Sequence, residues 1–143
     1  MSGQRSPNWE FFDHAADVGI RLQASTLESL FIAAGRALME WIGPAPENSV
    51  LCHEEIRVEG ENNEELMVRW LQELLYLFHQ RQLYFLDAPS IRIAPTSVEC
   101  RIEAMSWSAT QYELYQEVKA VTYHRLRVAQ EDSVWRATVI LDI

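Results

Sequence analysis

The sequence predicts an α+β domain in which two amphipathic helices pack on one face of a mostly antiparallel β-sheet, giving two layers. Three observations lead there. Two segments carry apolar residues at helical spacing, one segment between them and one before them alternate like strands, and the second half reads almost entirely as strands. Two helical stripes cannot bury themselves on each other and also cover both faces of a large sheet, so a single helical layer is the economical arrangement.

The elements follow in order. Val18, Ile20, Leu22 and Ala24 alternate with Gly19, Arg21 and Gln23, the period of a half-buried strand. Ser25 opens a helix, with Glu28 three residues on as a capping-box partner. Leu27, Leu30, Phe31, Ala34, Leu38 and Trp41 form its stripe, and Gly43–Pro44 ends it. "LCHEEIRVEG" reads as a strand. Asn62 and Glu65 cap a second helix whose face carries Leu66, Trp70, Leu74 and Phe78. Four strand-like segments come after it: "LYFLDAPSIRIAP", "SVECRIEAMSW", "QEVKAVTYHRLRVAQ" and "SVWRATVILDI". Residues 1–8 are expected to be a short flexible tail, and 9–143 a single domain.

Composition narrows the function classes. The chain has 143 residues, 48% hydrophobic and 23% charged, which suits one globular domain with a real core. A net charge of −9 opposes direct, stable nucleic-acid binding; it is compatible with a basic protein partner, and the bland reading, favoured on composition alone, is that acidity keeps the protein soluble. No segment approaches the roughly 20 apolar residues of a membrane helix, and no signal peptide is evident, so a cytoplasmic location is expected. Cys52 and Cys100 lack metal-site or redox spacing and read as free, buried thiols. Phosphate-binding loops, zinc motifs and nucleophile elbows are absent, and the four histidines have no metal-ligand spacing. His53 and His79 read as surface or boundary residues without a role.

Three places could carry chemistry. Asp13, His14 and Asp17 cluster in a turn at the mouth of the first strand, where the bland reading is that Asp simply forms turns. In "VWRATVILDI", Trp135, Ala137, Val139, Leu141 and Ile143 share one face and Asp142 points to the other. An ordered strand of this kind would hold the Asp142 side chain and the Ile143 main-chain carboxylate in place, as a hard divalent cation requires. A solvated terminal aspartate is the alternative. In "EVKAVTYH", Glu117 and Lys119 would lie on one strand face and Thr122 and His124 on the other, as a solvated pair and a satisfied histidine unless a partner uses them.

Together these segments resemble the archease family. "DHAADVG" is similar to the family signature DHTADVG, "EVKAVTYH" matches EVKA(V/I)TYH, and the sequence closes on the family's Asp-Ile. The resemblance spans nearly the whole chain. It implies an archease-like fold and a protein that is not itself an enzyme but activates RtcB-type RNA ligases, which seal tRNA halves and broken RNA ends with GTP. Such activators promote guanylylation of the ligase and repeated turnover; a chaperone or specificity modulator of RNA-modifying enzymes is the alternative. Carried over by position, the metal ligands would be Asp17, Asp142 and the carboxylate of Ile143, with calcium the usual occupant. His14, Lys119, Thr122 and His124 would dock the ligase or support the site. Ala15 stands where the family usually has threonine, which removes a hydroxyl there.

Overall fold

The computed structural model describes residues 8–14, 17–47 and 49–143; the expected tail, apart from residue 8, and Ala15 lie outside them. Strand β1 (Trp9–His14) forms an antiparallel hairpin with β2 (Asp17–Ala24), and helix α1 (Leu27–Ile42) follows. Next come β3 (Leu51–Glu59), helix α2 (Asn63–Arg81), β4 (Leu83–Asp87), β5 (Arg92–Ala94) and β6 (Ser97–Ser106). A short 3-10 helix (Ala109–Leu114) precedes β7 (Ala120–Glu131) and β8 (Val134–Asp142).

The α+β class and the antiparallel pairing agree with expectation; the single sheet does not. The strands divide into a first sheet, β1-β2-β8-β7, and a second, β3-β6-β4 with β5 also on β6. The helices touch each other, and each touches strands of both sheets. The reason lies in α1. Its buried residues Leu30, Phe31, Ala33, Ala34, Ala37, Leu38, Met39 and Ile42 cover far more than one stripe, and a helix apolar over most of its circumference needs more than one neighbour. Close approach is part of this: a Cβ at Gly35 would lie 2.7 Å from Phe85 Cε2 and 2.8 Å from Leu74 Cδ1. Trp70 fills the junction, donating from Nε1 to the Phe31 carbonyl at 2.8 Å and meeting Phe85 edge-on.

Local signals mostly hold, with small displacements. The α1 cap is Thr26, not Ser25: Thr26 has the extended backbone of a cap, and its Oγ1 accepts from Ser29 N at 3.0 Å. Gly43 ends α1 at φ 154°, where a Cβ would sit 2.8 Å from the Leu114 carbonyl oxygen. At α2, Asn62 Oδ1 accepts from Glu65 N at 2.8 Å, and the Glu65 carboxylate reaches back to Glu61 N at 2.8 Å. Cys100 is buried, which pushes its thiol up to about 12, whereas Cys52 is only half-buried; both are free. Among the described residues no helix is long and apolar enough to cross a membrane.

Candidate functional site

The site candidates collect at one end of the first sheet, for reasons that begin with alternation. Val18, Ile20, Leu22 and Ala24 of β2 are buried, so Asp17, Gly19 and Arg21 point to the opposite, outer face. In β8, Ala137, Val139 and Leu141 are buried with them, so Asp142 and Ile140 point outward. Antiparallel pairing then decides who meets whom. Asp17 lies directly opposite Asp142, and Gly19 opposite Ile140. Directly opposed side chains share a face with Cβ atoms about 4.5–5.5 Å apart. Both aspartates are half-buried.

Neighbouring strands extend the row. His14 of β1 pairs with Asp17, and Ala120 of β7 pairs with Asp142. The Lys119 amide donates to the Asp142 carbonyl at 2.7 Å, holding the end of β8 from the β7 side. One step inward, the row is Phe12, Gly19, Ile140 and Thr122. The tip of the Phe12 ring lies over Gly19, so close that a Cβ there would be 2.1 Å from Phe12 Cζ. The Arg21 guanidinium stacks over the same ring at 3.9 Å. Ile140 has no solvent exposure although it is on the outer face. An apolar floor therefore adjoins the carboxylate row on its inner side. Thr122 completes the floor: its hydroxyl donates to the Ile140 carbonyl and accepts from the His124 amide, both at 3.2 Å.

Not every sequence expectation survives. Asp13, His14 and Asp17 do not form one turn cluster. Asp13 and His14 belong to β1, where consecutive residues point to opposite faces, so exposed Asp13 is turned away from Asp17's face. Glu117 and Lys119 are not on a strand, because β7 begins at Ala120. The preceding backbone is committed elsewhere: Gln116 donates from its amide to Ile42 O at 2.7 Å and from its side chain to Trp41 O at 2.8 Å. Beyond Thr122 the pairing jumps from Thr122↔Ile140 to Arg127↔Thr138, so residues 123–126 bulge opposite Val139, with Arg125 at φ 51°. Exposed His124 sits in that bulge, and Ile143, 37% exposed, lies just past β8. Among the described residues no three His, Cys, Asp or Glu side chains form a ready metal cluster. Sequence reasoning missed Phe12 and Ile140; the signal was Gly19, since a strand glycine often marks a close approach.

Comparison with known proteins identifies the family. The profile described as the Archease protein family (MTH1598/TM1083) matches residues 9–143. The chain belongs to the archease family. Protein archease of Pyrococcus furiosus is 33% identical over 140 residues, spanning 94% of this chain and 98% of that one. Protein archease of Methanosarcina barkeri is 32% identical with both chains fully covered. The solution structure of protein 1598 from Methanobacterium thermoautotrophicum superposes with a TM-score of 0.77 at 26% identity, covering 96% of this chain and 100% of that one. A Thermotoga maritima archease, described as a possible chaperone, shares the fold at TM-score 0.61 and 19% identity over 98% of each chain.

Proposed function

We propose that this archease is a non-catalytic cofactor of an RtcB-type RNA ligase, acting in the cytoplasm to promote GTP-dependent guanylylation and repeated turnover in tRNA splicing and RNA repair. The observation that supports this is the register of β2 on β8, which sets Asp17 across from Asp142 at the sheet's end. With the main-chain carboxylate of Ile143 next in line, the donors are all hard oxygens, the set a divalent cation such as calcium takes at about 2.3–2.6 Å. The two half-buried side chains fit such an ion. A cation held there would supply positive charge to phosphate groups at the ligase's guanylylation centre.

The chain's own residues do the positioning. The Lys119 amide and the Thr122 hydroxyl hold β8 through the carbonyls of Asp142 and Ile140. His14, Lys119 and His124 are assigned to ligase docking, and no stable contact of this protein with nucleic acid is part of the reading. Calcium titration by calorimetry and multiple-turnover sealing by a limiting amount of ligase test it together. Asp17→Ala and Asp142→Ala should lose both calcium binding and activation while keeping the thermal midpoint. Full activation by both variants would sink the proposal.

A chaperone for RNA-modifying enzymes is the second reading. It is favoured by one observation: Val50, Leu51, Tyr112 and Leu114 are 51–67% exposed. Two of them lie close to Trp107, since Val50 bonds the neighbouring Ser106 and Tyr112 stacks on the Trp107 ring at 6.4 Å. Client binding that survives Asp142→Ala but not Tyr112→Ser would select it.

A further inference from the structure

Among the described residues β3 pairs on one side only, with β6, so its other edge is open at the margin of the second sheet. That edge runs beside a groove of about 500 Å³, to which the strand contributes Arg57 and Glu59 and helix α2 contributes Arg69, Gln72, Glu73 and Tyr76. Tyr76 is 56% exposed there. A strand edge beneath a helix is the geometry that accepts an added strand. We propose that the occupant is β3 of a second copy of this chain, joined antiparallel about a two-fold axis through Ile56, so that the two second sheets become one continuous sheet.

Charge pattern and register select this occupant. On the outer face of β3 stand Leu51, His53, Glu55, Arg57 and Glu59, all exposed. Pairing centred on Ile56 sets Glu55 against the second copy's Arg57, and His53 against its Glu59. By symmetry each pair occurs twice. No like charges are opposed, and the inner face places Ile56 on Ile56 and Glu54 on Val58. The registers centred on the adjacent residues conflict. Centring on Glu54 or Glu55 puts that carboxylate against itself, and centring on Arg57 puts that guanidinium against itself and Glu55 against Glu59. Like charges directly opposite are destabilising. Arg57 can take the extra partner, because its fork of five donors uses one terminal nitrogen for Glu99 and the other for Glu59.

Helix α2 borders the same edge: its Arg69, Gln72, Glu73 and Tyr76 line the groove beside Arg57 and Glu59. A strand added to β3 would therefore also meet this helix face, which offers both charge signs and an aromatic ring. Charges on an edge strand commonly serve to prevent pairing; here, among the registers centred from Glu54 to Arg57, their order matches itself only in the one centred on Ile56. This contact lies in the sheet that does not carry Asp17, so it stands or falls apart from the activator reading.

Sedimentation equilibrium of the full chain at physiological salt across the micromolar range tests the proposal, with amide exchange of β3 followed over the same concentrations. A monomer–dimer equilibrium is expected, with β3 exchange slowing as dimer forms. Glu55→Arg sets an arginine against the second copy's Arg57 twice and should weaken the dimer by roughly tenfold or more. Tyr76→Arg, in the groove beside the same edge, should weaken it in the same direction. The proposal is overturned by a wild-type monomer throughout the range, including one that binds an extended segment of another protein instead. It is equally overturned by a dimer insensitive to both substitutions, or by one whose β3 exchange ignores concentration.

Discussion

Gly19→Ala offers a sharp test of how the floor beside the carboxylate row is built. In most strands this change helps slightly, since alanine loses less backbone freedom on folding, a gain of about 0.4–1 kcal/mol. Here the new Cβ would sit 2.1 Å from Phe12 Cζ and within 2.5 Å of both Cε atoms, where ordinary contact begins at 3.4 Å. The ring tip must move by at least 3.4 − 2.1 = 1.3 Å. That displacement gives up the Arg21 stacking, worth about 0.5–1 kcal/mol at a surface site, and adds overpacking of about 1–3 kcal/mol. The net expectation is a loss of about 1–3 kcal/mol, read by urea denaturation with the slope unchanged. The decisive measurement is the double-mutant cycle. In a Phe12→Ala background the clash is gone, so Gly19→Ala should become neutral or stabilising. An equal loss in both backgrounds would refute the account, because the cost would then belong to the strand and not to the ring.

Two further predictions use the helix ends and the buried acids. Thr26→Ala should cost about 1 kcal/mol as a lost cap, whereas Ser25→Ala should cost a few tenths at most; equal effects in urea melts would move the cap back to Ser25. Burial pushes Tyr84 and Cys100 each up to about 12 from ordinary values of 10.0 and 9.0, with Tyr115 raised in the same direction. For these acids the unfolded chain loses its protons first as pH rises, so stability is full below about pH 9, falls from there and levels off past about pH 12. Urea midpoints that stay flat across that window would contradict the burial of both groups.

What the sequence could and could not convey follows from what each signal measures. Alternation reports a strand's two faces, so the outward aspect of Asp142 and the inward run Val18–Ile20–Leu22 were readable. It does not report partners, so the division into two sheets and the pairing of Asp17 with Asp142 were not; family resemblance implied that proximity and strand register describes it. The broad apolar surface of α1, with Ala33, Ala34 and Ala37 beside Leu30 and Phe31, was a visible sign of burial on several sides. β1 was hidden because "WEFFDH" has no clean alternation, its half-buried Phe11 and Phe12 lying side by side on opposite faces. The non-strand course of Glu117 to Lys119 depends on Gln116 bonding the end of α1, a contact 74 positions distant. The bulge after Thr122 is likewise a matter of length mismatch with β8, invisible in either strand alone.

The placement of β8 between β2 and β7 also sets a timetable. Asp17 and its opposite residue Asp142 are 125 positions apart. At the roughly 5–20 residues per second of protein synthesis, the ribosome needs about 6–25 s to make the second after the first. Through that interval the β1–β2 hairpin has nothing along its inner edge, and an isolated two-stranded hairpin is marginal in water. The second sheet, whose strands all fall between Leu51 and Ser106, can close on the nascent chain well before then. The acidic pair therefore cannot form until β8 has been made, and a nascent chain that stops short of β8 has no such pair to offer a partner.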